Sequence, residues 1–257
     1  MLLLSALIVI ATCVSVKSFV KQPTLLHRSL KLSALSMSLL ERKAELLKLC
    51  TSVKVGEPFP EAVSSDIKLC AEAIESLSSH EGLTDSLPHL DGEWLMLFST
   101  LPAFFQRIAL RDLSAGTIQS AEPLILVSAV KQLVKRTPSG EYQYDNLVEF
   151  QGGRADATDP PIAGLHITRG NAELNIPEST EKTVRLNVSF YENEATSAST
   201  SKASSDNFNK LFGFKPEETL LGKFPAAFKS WSDIVYLDQN LRIMRGGKGN
   251  IYILSKE

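Results

Sequence analysis

The sequence predicts a mainly β fold: an antiparallel β-barrel preceded by two amphipathic α-helices. Apolar residues recur at helical spacing between residues 38 and 80, and the period changes to two beyond Pro88. Short strand candidates then follow one another to the C-terminus, with turn residues between them. A chain of 257 residues, 44% of them apolar, can bury one sizeable core, so a second full domain is not required.

The N-terminal part of the fold, residues 38–80, is predicted to be helical. Apolar and charged residues follow helical spacing over Leu39–Leu49, and Ser38 can cap this first helix. The second helix is expected from Pro60 or Glu61 to about Ser78, because proline is favoured at a helix start. Its buried stripe is expected to contain Val63, Ile67, Leu69, Cys70, Ile74 and Leu77.

The barrel is predicted over residues 89–257, where ten segments have the period of β-strands. In Thr183–Tyr191 every second residue is apolar, which is typical of a strand with one buried side. In Glu93–Thr100 one face is expected to hold Trp94, Met96 and Phe98 and the other Leu95 and Leu97, so we expect the N-terminal helices to cover the outer side. The candidates are Glu93–Thr100, Gly116–Gln119, Leu124–Val130, Tyr142–Gln151, Leu165–Arg169, Ala172–Ile176, Thr183–Tyr191, Ile234–Leu237, Leu241–Arg245 and Asn250–Leu254.

Two segments of contrasting composition separate the strand candidates in the last third of the chain. Residues 195–207 are rich in Ser, Thr, Ala and Lys and low in large apolar residues, which predicts a flexible Ser-rich loop. The segment 208–228 follows at once and is rich in phenylalanine. Such a segment can close a cavity, dip into a lipid surface or pack onto the barrel.

The net charge of −2 hides an asymmetry along the chain. Residues 1–40 contain four basic residues and no acidic one, so the remainder has 23 basic against 29 acidic residues, a net charge of −6. With that negative net charge, the rest of the chain has no electrostatic attraction for nucleic acid or, as a whole, for anionic lipid. Any membrane contact is therefore expected to be apolar or local, and no transmembrane span is predicted in the mature protein.

The N-terminus has the composition of a targeting segment. Leu2–Val16 is nearly all apolar but shorter than the roughly 20 residues that span a bilayer, which predicts a signal peptide over residues 1–18. Residues 19–37 begin with Phe19, are rich in Ser and Leu and lack acidic residues, as transit peptides do. Together they resemble the two-part plastid presequence of algae with a secondary plastid. The alternative is a secreted protein with a flexible basic start.

No catalytic, metal or cofactor site is predicted. The sequence lacks a nucleophile elbow, a zinc-binding His-Glu-x-x-His and a phosphate-binding glycine loop. His166 lies in a strand among apolar residues, where a hydrogen-bonded structural histidine is commoner than a ligand. Asp156 and Asp159 suit a turn better than a metal site, and Cys50 and Cys70 are expected to be buried free thiols.

Gly92-Glu93-Trp94 stands at the start of the first strand candidate. Gly-x-Trp in this position is typical of lipocalins, in which the glycine permits a tight approach. The indole plugs the closed end of the barrel, often beneath an arginine from the last strands. A tryptophan in such a position is more often a plain core aromatic, and the lipocalin role of Trp94 is the alternative.

The C-terminal quarter of the chain is predicted to be a three-stranded meander. Asp238–Asn240 and Gly246–Gly249 have the composition of hairpin turns. Between them, Leu241, Ile243 and Arg245 share one face of the middle strand. If that face is the barrel interior, Arg245 must find a partner there, because an unpaired buried cation is costly.

This meander resembles the C-terminal signature of the plastid lipid-associated protein (PAP) family, the fibrillins. The signature reads Tyr-Leu-Asp, two residues, Leu-Arg-Ile, one residue, Arg-Gly and a glycine-containing turn into an aliphatic strand. Tyr236–Leu254 matches it nearly residue for residue. The resemblance extends to Leu90–Thr100 and, more loosely, to Asn146–Phe150, and it covers residues 39–257.

The resemblance implies a lipocalin-like barrel in the plastid, associated with thylakoids or lipid globules, that binds or stores prenyl lipids, carotenoids or fatty acids. We expect Arg245 to face the barrel interior, where with Tyr236 it can orient a polar head group. We expect Arg242 on the outside, solvated or paired with a carboxylate, while Asp238 is either functional or a turn residue. The ligand-binding candidates carried over are Trp94, Tyr236, Asp238, Arg242 and Arg245.

Three functions are compatible with these patterns. The first is a non-enzymatic binder that holds a hydrophobic small molecule between apolar strand faces. The second is a structural coat of lipid globules whose barrel is filled by its own side chains. The third, an enzyme or carrier of isoprenoid or tetrapyrrole precursors, is supported by no motif. Apolar faces specify volume and not chemistry, so the sequence leaves open which lipid is bound, whether the barrel is hollow and the oligomeric state.

Overall fold

The computed structural model describes nine ranges of the chain: residues 38–53, 58–78, 80–101, 107–109, 124–152, 160–176, 183–215, 218–247 and 249–257. The predicted signal peptide 1–18 and transit-like segment 19–37 lie outside the described residues. So do the strand candidate Gly116–Gln119 and the loop residues Asp156 and Asp159.

Both predicted N-terminal helices are confirmed. The first begins with a capping box, in which the Ser38 hydroxyl accepts from the Glu41 N–H and the Glu41 carboxylate accepts from the Ser38 N–H. Pro60 precedes the first residue of the second helix. The helices of the described residues are α1 (Leu39–Cys50), α2 (Glu61–Leu77), α3 (His80–Asp85), a 3-10 helix (Leu87–Leu90) and α4 (Lys202–Phe212).

The strands form one antiparallel sheet that closes into a ring. Its order is β1-β9-β8-β7-β6-β5-β4-β3, and β1 pairs with β3 as well as with β9, so eight strands complete the ring while β2 extends it beside β3. This confirms the mainly β class. The strands are β1 (Gly92–Ser99), β2 (Arg107–Ala109), β3 (Leu124–Arg136), β4 (Tyr142–Gly152), β5 (Ile162–Asn175), β6 (Val184–Ser197), β7 (Leu220–Leu237), β8 (Leu241–Gly246) and β9 (Ile251–Lys256).

Buried apolar residues form two clusters, one on each side of the sheet. The inner cluster fills the ring and includes Trp94, Phe150 and Phe208. The outer cluster joins α1 and α2 to the outward residues of β7, β8 and β9, and it includes Leu46, Ile74 and Ile243. The predicted helical cover over the sheet is therefore present, and strands beneath it are buried on both faces.

Three details differ from the sequence-based expectations. Residues 195–207 are not a loop throughout: β6 continues to Ser197 and α4 begins at Lys202. Leu69 and Leu77, expected in the buried stripe of α2, are exposed to 42% and 53%. Phe98 belongs to the outer cluster, whereas Trp94 and Met96 belong to the inner one, because a β-bulge between Met96 and Phe98 reverses the alternation.

Cys50 and Cys70 are free and buried, as predicted. Burial raises the pKa of the Cys50 thiol to about 12 and that of Cys70 to about 11. Both thiols are therefore protonated and unreactive at neutral pH, and their role is packing between α1 and α2.

Candidate functional site inside the ring

Trp94 lies at the end of the ring that the 3-10 helix covers. Its side chain is completely buried, and its indole Nε1–H donates to the Leu90 carbonyl at 2.9 Å. Gly92, two residues earlier, has φ +137°, a conformation that favours glycine, and a Cβ there would lie 2.5 Å from the Lys256 side chain. The positive φ and the nearby Lys256 side chain thus favour glycine at position 92, and the indole of Trp94 fills this end of the ring.

Arg242 lies inside the ring, so the prediction that it faces outward is wrong. It is completely buried, and its guanidinium carbon lies 4.7 Å from the centre of the Trp94 ring. Its Nη2 donates to the side-chain oxygen of Gln132, whereas Nε and Nη1 have no hydrogen-bond partner among the described residues. Burial lowers the pKa of this guanidinium to about 10, which leaves it charged at neutral pH.

A row of polar side chains extends from this pair around the inner wall. Gln132 pairs with both Trp94 of β1 and Asn146 of β4, Asn146 pairs with Thr168 of β5, and Thr168 pairs with Asn193 of β6. Directly paired residues of neighbouring strands point to the same side of a sheet, so all of these residues share the inner face. We call Gln132, Asn146, Thr168 and Asn193 the polar belt.

A cavity of about 60 Å³ lies beside the belt in the middle of the ring. It is large enough for water, which needs about 10–15 Å³, and smaller than the roughly 300–1,000 Å³ of typical small-molecule sites. Residues of β1, β3, β4, β6, β7, β8 and β9 line it, and its wall combines apolar groups with amides and hydroxyls. Its lining includes Met96, Gln132, Tyr144, Asn146, Phe190 and Ser232.

His166, like Arg242, has buried nitrogen atoms inside the ring that lack hydrogen-bond partners among the described residues. It lies next to Thr168 on the inner face of β5, is 1% exposed, and neither ring nitrogen has a hydrogen-bond partner among the described residues. Burial lowers the pKa of this imidazole to about 4, so it is neutral at physiological pH. It was expected to be hydrogen-bonded, and the structure places it among apolar neighbours such as Val148 and Ala195.

An aromatic cluster closes the ring at the end opposite Trp94. Phe208 and Phe212 of α4 stack with ring centres 4.4 Å apart, and Phe214 continues the stack 5.5 Å from Phe212. Phe150 of β4 completes it from the sheet at 6.3 Å from Phe208. Gly164 lies beneath, where a Cβ would come within 2.6 Å of Phe208, so glycine is what lets α4 dock this closely. We call Phe150, Phe208, Phe212 and Phe214 the aromatic plug.

Arg245 lies on the outer face, so the prediction that it enters the ring is also wrong. Its Nε and Nη2 donate to one carboxylate oxygen of Glu75 on α2, at 2.8 and 2.6 Å. Leu241 and Ile243, which share its face of β8, belong to the outer cluster. The apolar face of this strand is buried under the helices, and the face with Arg242 and Met244 is buried inside the ring.

Tyr236 and Asp238 also lie on the outer side, where they hold α1. The Asp238 carboxylate accepts hydrogen bonds from the Asn240 and Leu241 N–H groups, each at 2.8 Å, which is a turn role. It also accepts from the Tyr236 hydroxyl at 2.7 Å and forms an ion pair with Lys43 of α1. Burial alone would raise the pKa of Asp238, but these donors together hold it below its usual range.

The five predicted site residues therefore separate into two groups. Trp94 and Arg242 meet inside the ring, whereas Tyr236, Asp238 and Arg245 attach α1 and α2 to the outside. Sequence reasoning found the phenylalanine-rich segment that supplies most of the aromatic plug, and it missed the polar belt. The signal available was polar residues at inward positions of alternating strands, but it is readable only once the strand register is known.

Comparison with known proteins identifies the family. The PAP_fibrillin family model matches residues 41–255. A chromoplast-specific carotenoid-associated protein of Cucumis sativus is 24% identical over 211 residues, covering 72% of this chain and 58% of that protein. A probable plastid-lipid-associated protein 1 of Arabidopsis thaliana is 24% identical over 223 residues, covering 76% and 64%.

This chain thus spans less than two thirds of the length of either relative. No solved structure gives a significant match. Within the described ranges, no helix is long and apolar enough to cross a membrane. The family match covers most of the chain, including both N-terminal helices and the ring, and the chain therefore belongs to the PAP/fibrillin family of plastid lipid-associated proteins.

Proposed function

We propose that this protein is a non-enzymatic plastid protein that binds a hydrophobic small molecule, a prenyl lipid, carotenoid or fatty acid, inside the ring. The observation that carries the proposal is the composition of the inner wall, where an apolar core contains one row of amides and hydroxyls beside a cavity. Small-molecule sites have this composition, because apolar surface supplies affinity and a few polar groups fix orientation. The names of the two relatives support the plastid location and the class of ligand.

The cavity volume restricts how a ligand enters. About 60 Å³ admits a head group and not a long tail, so the ligand's apolar part must replace side chains that now fill the ring. The aromatic plug is the candidate, because Phe208 and Phe212 belong to one short helix and are followed by Gly213 in the left-handed conformation. Withdrawal of α4 would empty the end of the ring and leave the sheet pairings intact.

Titration of the purified protein with a fluorescent polyene fatty acid tests the proposal. We expect saturable one-to-one binding, and we expect Phe208→Ala to increase the association rate several-fold because it thins the plug. Leu40→Ala, a change at an exposed residue of α1, is the matched control and should leave the rate unchanged. Absence of saturable binding by both the native protein and Phe208→Ala would contradict the proposal.

A coat function is the second candidate, and the small cavity favours it. A ring filled by its own side chains needs no internal ligand, and the leucines Leu69 and Leu77 expose apolar surface on α2. A coat protein would float with neutral-lipid droplets in a density gradient without binding the polyene one to one. Changing both leucines to serine should then release it from the droplets, whereas Phe208→Ala should not.

A further inference from the structure

We propose that the closed end of the ring is a site for the anionic head group, a carboxylate or a phosphate, of an amphiphilic ligand, and that Arg242 binds it. This inference rests on the proposed function and specifies the chemical class of its ligand. The starting observation is an imbalance of charge: Arg242 is a completely buried cation with no ion pair among the described residues.

Two nitrogens of the Arg242 guanidinium, Nε and Nη1, have no hydrogen-bond partner among the described residues. A buried cation is costly unless it is paired and its N–H groups are bonded. Arg242 has one hydrogen bond to a neutral amide and one aromatic face, which leaves Nε–H and Nη1–H unsatisfied. A carboxylate or phosphate accepts two such donors at once, and it supplies the missing charge as well.

The surroundings of Arg242 favour an anion further. Lys256 places its Nζ 5.3 Å from the centre of the same Trp94 ring while donating to the His89 carbonyl at 2.8 Å, so two cations share this end of the ring. By contrast, Arg245 on the opposite face has its carboxylate in Glu75. The described residues thus provide an acid for the outer arginine and none for the inner one.

Gln132 connects Arg242 to the cavity. Its side chain borders the cavity, and its oxygen accepts the hydrogen bond from Nη2. An anion in the cavity reaches Arg242 by displacing the Gln132 oxygen or by binding beside it. The ligand's apolar tail then extends away from Trp94 towards the aromatic plug, along the wall formed by Val188 and Phe190.

A matched pair of probes tests the inference: cis-parinaric acid and its methyl ester, which share a tail and differ in charge. We expect the native protein to bind the acid at least tenfold more tightly than the ester. Arg242→Met should abolish that preference while retaining ester binding. Arg245→Met, which removes an arginine three residues away on the outer face, is the control and should keep the preference.

Thermal unfolding separates this role from a purely structural one. Replacement of an unpaired buried cation by a side chain of similar volume should leave the melting temperature unchanged or raise it. A cation needed only to hold Trp94 would instead lower it on replacement. Octanoate should raise the melting temperature of the native protein and not that of Arg242→Met, and Arg242→Gln provides the same comparison if the methionine variant does not fold.

Three outcomes would overturn the inference. Equal affinity of the native protein for acid and ester contradicts it while leaving the proposed function intact. Stabilisation by inorganic phosphate alone, as large as that by octanoate, would indicate a small-anion site without an amphiphile. Failure of both probes to bind contradicts the proposed function itself, and the inference with it.

Discussion

Arg242 and Arg245 lie three residues apart on β8, in environments that differ in one respect. Arg245 faces the helices and pairs with Glu75, whereas the partners of Arg242 among the described residues are Gln132 and the Trp94 ring. On the outer face, Arg245–Glu75 and Lys43–Asp238 are charge pairs across the helix–sheet contact. The inner face holds unmatched polar groups beside a cavity. Unmatched groups of this kind support the proposed ligand site on the inner face.

The same contrast extends beyond the two arginines. On the outside, four donors bind the Asp238 carboxylate and hold its pKa low. On the inside, His166 has no hydrogen-bond partner among the described residues, and burial lowers its pKa. The signature segment that identifies the family therefore serves mainly to fasten α1 and α2. Substitutions on the inner and outer faces of the sheet test this difference in how polar groups are paired.

The largest effect is expected at Trp94. Trp94→Ala should lower the free energy of unfolding by about 3–5 kcal/mol, because it leaves a cavity in the core and removes the aromatic face under Arg242. The control is Trp231→Ala, since Trp231, although it borders the cavity, is 39% exposed and packs beside Arg185. It should cost about 1 kcal/mol. Urea unfolding measures both, and similar losses at the two positions would contradict the assignment of Trp94 to the closed end.

The second effect is a dependence on pH that comes from His166. Its pKa in the folded state, about 4, is below the value of about 6.5 in the unfolded chain, so protons bind the unfolded chain first as the pH falls. The contribution of His166 to the free energy of unfolding is therefore fully present above pH 6.5. It falls by about 3 kcal/mol as the pH drops from 6.5 to 4. Urea midpoints at pH 7, 5 and 4 should fall less steeply for His166→Leu. Parallel curves for the two proteins would show that the imidazole is not buried in neutral form.

The third effect concerns the attachment of α1. Asp238→Ala leaves two turn N–H groups, the Tyr236 hydroxyl and Lys43 without their acceptor, and should cost about 2–3 kcal/mol. Asp238→Asn keeps an acceptor for the turn and loses the ion pair, so about 1 kcal/mol is expected. Chemical unfolding distinguishes the two. An asparagine variant as unstable as the alanine variant would mean that the ion pair with Lys43, and not the turn, is the main contribution.

The smallest effect compares the two arginines directly. Arg245→Met should cost about 0.5–1 kcal/mol, because the pair with Glu75 is partly exposed and screened by solvent. The loss should shrink when Glu75→Gln is already present, which a double-mutant cycle measures. Arg242→Met should cost nothing or stabilise the protein without ligand. The reverse order of the two variants would contradict the difference between the faces.

The sequence alone predicted the mainly β class and the helical layer, since both depend on local periodicity. The repeat of apolar residues over Leu39–Leu49 and the alternation in Thr183–Tyr191 are properties of short segments, and the structure confirms a helix and a strand there. The boundaries of the long strands were harder to predict from the sequence. β7 begins at Leu220, well before the predicted Ile234, and β5 runs through the gap between two candidates without interruption.

The predicted sides of Arg242 and Arg245 were inverted for a physical reason. Alternation correctly placed the two residues on opposite faces of β8, but the more apolar face was taken for the ring interior. In this fold α1 and α2 bury the outer face, so both faces are dry and hydrophobicity no longer distinguishes them. Which face points inward depends on the closure of β1 onto both β3 and β9.

The sequence by itself therefore determined the mainly β class, the two N-terminal helices and the family resemblance, because segment periodicity and a contiguous signature need no knowledge of distant contacts. Only the tertiary structure decided what lies inside. Gln132 and Arg242 are 110 residues apart in the chain, and their hydrogen bond exists because the ring brings β3 and β8 face to face. The polar belt arises in the same way, from the register of four strands that are each unremarkable alone.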